Sequence, residues 1–334
     1  MPFNRKRKNK SESKYELACN EGYCPTLNDR EGIAIKQLAN RLKAASYKET
    51  LTNVLEWQDR NIVFWFERYP LSHILLFFII LLGVSFPILI FQGLWWLIAV
   101  LGTILATTLA VMMLMIHNIR KISLKLSWKA LWMAIIPNIP LNWLLENKLC
   151  VCRDYAKLTA SLLFNIYPGS EIYFAHAPRH VATGIMVEKK LYVLDKYLPV
   201  ATIDKWNKRW HKGKHSDKRM ERVTGHNLES VILNSFLSET PVAELNTEKL
   251  AIEMKKLLNI KEPTDDAEEA SLSLWQWKRG AILYEDDEIV NYSLARLLKI
   301  KICGEMLEQN QISRIGIDRN KDDLVFRVSF KSIV

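Results

Sequence analysis

The chain has 334 residues, 49% of them hydrophobic, and carries a formal net charge of +10. That length exceeds what one ordinary domain needs, and the positive balance suits an anionic partner, either a membrane surface or a nucleic acid. The five cysteines (Cys19, Cys24, Cys150, Cys152 and Cys303) are odd in number and sparse, which argues against a disulfide framework and for a reducing compartment.

Residues 1–30 hold Arg5, Lys6, Arg7, Lys8 and Lys10, then turn signals at Gly22 and Pro25, and read as a flexible basic tail. Residues 31–69 read as a cytoplasmic helical segment. Ala34, Leu38 and Leu42 recur at helical spacing, and Leu51, Leu55, Ile62 and Trp65 mark a second helix. Residues 70–118 are then expected to form a transmembrane helical hairpin. No Asp, Glu, Lys or Arg occurs from Tyr69 to Ile119, and a spanning helix needs about 20 apolar residues. Gln92-Gly93 is the expected turn, with Trp95 and Trp96 at the far interface. Basic residues flank both ends: Arg68 and the tail before, Arg120, Lys121, Lys125 and Lys129 after. The positive-inside rule therefore places both termini in the cytoplasm and makes the chain a two-span cell-membrane protein.

Residues 119–225 are expected to form the catalytic core. Pro137 and Pro140 interrupt short helices at its start. Tyr155, Leu158, Thr159, Leu162, Leu163 and Ile166 then give an apolar face at 3.6 spacing, ending at Pro168-Gly169. Cys152 falls in the first turn of this helix. There the unpaired N–H groups and the macrodipole favour a thiolate. Cys150 precedes the helix and lacks that advantage. His180 opens one strand and Asp195 closes the next, with Glu188-Lys189 as the turn between them. A two-residue turn puts Asp195 across from Ala182 and on the same side as His180, within side-chain reach.

The remaining residues, 226–334, are expected to form an accessory helical region with a terminal strand. Helical patterns cover 247–258 and 287–307. Leu324, Phe326, Val328 and Phe330 alternate in "DDLVFRVSF".

Taken in order, these pieces resemble the transglutaminase-like superfamily in a membrane-anchored prokaryotic form. Its nucleophile motif, Cys-x-Asp-x-Ala before a Leu-rich helix, is matched by Cys152, Asp154 and Ala156. Its His-opened strand is matched by His180, and its Asp-closed strand by "YVLD" ending at Asp195. The resemblance implies an α+β, papain-like core in which the cysteine helix packs on an antiparallel sheet. It implies a cysteine-dependent amide hydrolase or acyltransferase acting on a protein or peptide, with Cys152, His180 and Asp195 as catalytic residues and no cofactor. It also implies that the membrane hairpin is inserted within the catalytic fold.

Other readings compete. The fold can serve as a non-catalytic membrane adaptor. Cys19, Cys24, Cys150 and Cys152 can be read as four zinc ligands, although the spacing is not Cys-x2-Cys. His211 and His215 have ligand spacing but lie among Lys and Arg, which repel a cation. From Lys205 to Arg222 there are eight basic residues against two acids, with Trp206 and Trp210. That composition suits contact with anionic headgroups; no nucleic-acid motif accompanies it.

Overall fold

The computed structural model describes residues 10–66, 68–93, 95–120, 124–136, 138–211, 219–238, 243–260, 268–273, 285–306, 310–320 and 323–332. The elements before the cysteine helix are α1 (Lys10–Glu21), α2 (Leu27–Glu31), α3 (Ile33–Leu42), α4 (Tyr47–Asn61), β1 (Val63–Phe64), α5 (Arg68–Phe91), α6 (Trp95–Arg120), α7 (Leu124–Ile135), α8 (Leu141–Asn147) and β2 (Leu149–Cys150). Next come α9 (Cys152–Ile166), β3 (Ile172–Ala177), β4 (His180–Val187), β5 (Lys190–Leu194), β6 (Ala201–Thr202), α10 (Ile203–His211), β7 (Arg219–Thr224) and β8 (Asn227–Ile232). The chain continues with α11 (Thr247–Leu258), β9 (Glu268–Ser273), α12 (Glu288–Met306), β10 (Asn310–Asn320) and β11 (Asp323–Ser332).

A six-stranded antiparallel sheet in the order β6-β5-β4-β3-β7-β8 is the centre of the fold. Alternate residues of β4 face opposite layers, as the pleat requires. Val181 and Ile185 join Leu158 and Leu162 of α9 in one core, while Ala182 packs with Ile203 and Trp206 of α10 in the other. Thr183 Oγ1 donates to the Ala156 carbonyl at 2.7 Å, tying β4 directly to α9. Glu188 and Lys189 form the two-residue turn with positive φ (48° and 66°), and Val187 pairs with Lys190 across it. That twist matches the flanking strands. A Cβ on Gly184 would sit 3.1 Å from Leu191 Cδ1 and 3.3 Å from the Tyr192 carbonyl oxygen, so the close approach of β5 calls for glycine here.

α3 and α4 pack with α9, and Gln58 Nε2 donates to Thr159 Oγ1 at 2.7 Å. Ser46 caps α4 through the Glu49 N–H. β1 pairs in parallel with β2, so the segment before α5 lies beside the segment that leads into α9. The core built on α9 and the sheet thus draws on residues both before and after the two apolar helices, and β8 adds an edge strand beyond residue 225. The expected start of the core at 119 is too late, since α3, α4 and β1 already belong to it.

Three further expectations change. Residues 10–31 are not a tail: they form two helices, with Tyr15, Ala18, Tyr23 and Cys24 buried in the main core. The i, i+3 spacing of Tyr15 and Ala18 outweighs the basic average composition. Residues after 243 form more than helices and a terminal strand. α11 and α12 cover a three-stranded sheet, β10-β11-β9, around Leu250, Met254, Leu294, Leu298, Phe326 and Val328. Finally, among the described residues a single helix, Trp95–Asn118, is long and apolar enough to cross a membrane, with 6% of its apolar window buried. In α5, only the shorter apolar stretch Ser72–Leu81 is found among the described residues, and one candidate span does not by itself give a two-span hairpin.

Candidate active site

Cys152 is the first helical residue of α9. Val151 offers no capping oxygen, but the Asp154 carboxylate reaches back and accepts from the Val151 N–H at 2.9 Å, the reciprocal half of a capping box. Asp154 is fully buried, and burial raises its pKa against the opposing pull of Arg68. The Arg68 guanidinium donates to Asp154 and to the Ile136 carbonyl. This buried pair fixes the turn that carries the thiol. It also removes Arg68, 2% exposed, from the basic residues available to a lipid interface.

The two neighbouring thiols have different surroundings. Cys150, on β2, is wholly buried, and burial followed by the nearby Asp154 charge pushes its thiol well above the ordinary range. The Cys152 thiol keeps 8% exposure and donates to the Arg179 carbonyl at 3.8 Å.

His180 Nε2 lies 3.0 and 2.9 Å from the two oxygens of Asp195. The imidazole also hydrogen-bonds Cys152. With Nε2 committed to the carboxylate, Nδ1 is the nitrogen left for the thiol. Burial alone would lower the His180 pKa, but the bonds to Asp195 and Cys152 override it and push it up to about 9. Burial likewise works against the Asp195 anion, yet His180 holds that carboxyl below the usual range. Trp206 Nε1 donates to Asp195 Oδ2 at 3.2 Å. The Trp210 ring stacks on His180 with centroids 3.9 Å apart and planes 14° apart. The arrangement therefore places a thiol, a base and an orienting carboxylate in series, the geometry of nucleophilic acyl transfer.

The three residues singled out from the sequence are thus brought together. Trp206 and Trp210 were missed as site residues, because the charge around them pointed to lipid. Their i, i+4 spacing on one helix face was the available signal. The basic segment itself is divided: α10 ends at His211, residues 212–218, including His215, lie outside the described residues, and β7 starts at Arg219. Lys205 is buried, and Arg219 and Arg222 are ion-paired with Glu221, Glu171 and Glu229, so this stretch is not one free cationic loop. Among the described residues no three His, Cys, Asp or Glu side chains converge as metal ligands. The Cys19 thiol bonds Cys24 and the Pro25 carbonyl, which leaves the four-cysteine zinc reading without its geometry.

A model of the family described as a transglutaminase-like domain matches residues 33–224, more than half of the chain. The chain belongs to the transglutaminase-like domain family. The matched region runs from α3 to β7 and includes α5 and α6, so the apolar helices lie within it. The chain is also similar to the UPF0252 protein MJECL39 of Methanocaldococcus jannaschii, at 27% identity over 342 residues, covering 91% of this chain and 95% of that one. No solved structure matches.

Proposed function

We propose that the protein is a membrane-anchored, cysteine-dependent amide hydrolase of peptidase type. The observation that carries this reading is His180 held between Asp195 and Cys152. The Cys152 thiolate attacks a substrate carbonyl carbon, with the backbone N–H of Cys152 as one donor to the oxyanion. As the C–N bond breaks, the His180 imidazolium gives its proton to the leaving amine. His180 then takes a proton from water, whose oxygen attacks the thioester; the carboxylic acid leaves and the thiol is restored. An amine in place of water would give transamidation by the same steps. Asp195 keeps the imidazole in the required tautomer throughout.

Anchoring is supported by the exposed side chains of α5 and α6. Phe77, Phe91, Trp95 and Trp96 are all more than half exposed, an apolar surface larger than a soluble monomer normally shows water. α5 and α6 flank a tight turn at Gly93 (φ +68°), as a re-entering pair of spans requires. The basic residues outside the pair support a cytoplasmic position for both ends.

The test is the pH dependence of Cys152 alkylation by iodoacetamide in the full-length chain. A half-reaction pH well below ~8.5 is expected, with Cys150 unreactive over the same range. Faster labelling of Cys150 would remove Cys152 as nucleophile and leave a non-catalytic membrane adaptor as the account of the fold. For topology, Gln92→Cys in an otherwise cysteine-free chain should react with an impermeant maleimide on intact cells. Protection of that position would overturn the proposed orientation.

A further inference from the structure

Four cations either adjoin the site residues in sequence or act on them directly. Arg153 follows Cys152 in α9, and Arg179 precedes His180 and lends its carbonyl to the thiol. Lys196 follows Asp195 and is within electrostatic reach of both Asp195 and Cys152. Arg209 acts on Asp195 and Lys196, with its Cζ 5.9 Å from the Trp210 ring that covers His180. The two carboxylates at the site are already engaged, Asp154 with Arg68 and Asp195 with His180. None of the four cations forms an ion pair among the described residues.

Lys196 is the most distinctive member. Its ammonium is held against three rings, 4.1 Å from the Phe64 centroid, 5.0 Å from Tyr197 and 5.9 Å from Phe66. Aromatic faces attract an ammonium without accepting its N–H groups as a carboxylate would. Its donors therefore remain available to an anion that enters beside the thiol. Phe66 and Tyr197 are themselves 67% and 39% exposed, so the box opens to solvent.

We propose that this unpaired cationic rim selects acidic peptides, with Lys196 receiving a substrate carboxylate next to the bond that Cys152 attacks. The proposal rests on the hydrolase reading above and supplies its substrate class. A recessed ammonium in an aromatic box suits one discrete carboxylate on a flexible chain better than the plane of a lipid surface.

The test compares two alkylating agents on the full-length chain in detergent: iodoacetate, which is anionic, and iodoacetamide, which is neutral. Their rate ratio at Cys152 is followed by mass spectrometry against free cysteine in the same buffer. The ratio should exceed that of free cysteine by about tenfold at low salt and fall as ionic strength rises. Lys196→Glu should lower it by about fivefold, and so should the exposed change Arg179→Glu if the first variant fails to fold. With pools of quenched peptides bearing Glu or Lys beside the cleaved bond, Lys196→Glu should shift the preference towards Lys through the ratio of the two KM values. If Cys152 resists both reagents, the hydrolase reading fails. If it reacts with both, but at the free-cysteine ratio and with no response to Lys196→Glu, the acidic-peptide assignment fails while the nucleophile stands. The ratio is also read in phosphatidylcholine vesicles with and without phosphatidylserine. Collapse of the ratio only when phosphatidylserine is present would give the rim to lipid headgroups and overturn the peptide assignment.

Discussion

His180 and His176 stand on neighbouring strands, and each imidazole meets a carboxylate at nearly the same distance. His180 Nε2 is 2.9 Å from Asp195, and His176 Nε2 is 3.0 Å from Glu221. The pairing of His176 with Val181 puts the two rings on opposite faces of the sheet. What each pair meets next differs. On one face the chain of contacts runs on to the Cys152 thiol and is roofed by Trp210. On the other, Glu221 also accepts from the Tyr23 hydroxyl at 2.8 Å and from Arg219 Nε at 2.9 Å, and Tyr23 packs edge-on against the His176 ring. A histidine–carboxylate pair is therefore not itself a sign of catalysis. The third partner differs: a thiol beside one pair fits the proposed proton relay, and a tyrosine with an arginine ties the other pair to the N-terminal segment.

The sharpest way to break this comparison is to remove the thiol. Cys152→Ser should reduce acyl transfer by roughly a thousandfold or more, with the thermal midpoint kept, since the change is nearly isosteric. His176→Ala should leave turnover within a few-fold of wild type. Equal losses in both variants would mean that the His176 pair also takes part in the chemistry.

Next in size is the effect of each histidine on the thiol. His180→Ala should return the half-reaction pH of Cys152 towards ~8.5, because the cationic partner is gone, whereas His176→Ala should not move it. The two pairs should also fail at opposite ends of the pH scale. His180 is raised from 6.5 to about 9, so its contribution to stability is complete below about 6.5 and is lost as pH rises through about 9. Glu221 is lowered from 4.5 to about 2, its burial being outweighed by His176, Arg219 and Tyr23. Its contribution is present above about 4.5 and lost as pH falls through about 2. Thermal midpoints measured across pH should lose the alkaline slope in His180→Gln and the acid slope in Glu221→Gln. The second variant should also cost about 2 kcal/mol at neutral pH, since the Arg219 and Tyr23 donors lose a charged acceptor.

The smallest effect should come from Trp206→Phe. It removes one donor to Asp195 while keeping the ring, so a fall of a few-fold in turnover is expected, with little change in the thermal midpoint. A loss as large as that of His180→Ala would assign Trp206 more than a supporting bond.

Much of the His180 side of this comparison was legible in the sequence. The order of Cys152, His180 and Asp195 and the two-residue turn at Glu188-Lys189 depend on local pattern, and local pattern gives the register. The His176 side was not legible. Glu221 and Tyr23 reach His176 from distant segments, and no spacing rule connects positions so far apart. The same holds for Arg68, whose partner Asp154 is 86 residues away. Trp206 and Trp210 were visible but misread, because the surrounding charge dominated the segment. Lys10–Glu21 was missed for a related reason: averaging its basic and acidic residues hides the few apolar positions that pack. β10 escaped because Arg314, Asp318 and Arg319 interrupt its alternation, while Ile315 and Ile317 face the core.

The Arg68–Asp154 pair, with the β1–β2 strand pair beside it, closes an excursion of 86 residues. Loop-closure entropy grows only with the logarithm of length, so closing this excursion rather than a five-residue loop costs about 2.5 kcal/mol. A domain can carry such a burden within its ordinary margin of stability. The order of synthesis is less forgiving. When α4 has left the ribosome, α9 and its sheet do not yet exist, and α5 and α6 must be made before them. The first part of the domain therefore waits, without its core partner, through the period when its most apolar helices emerge. The pair that locks the catalytic turn can form only after those helices have found their place.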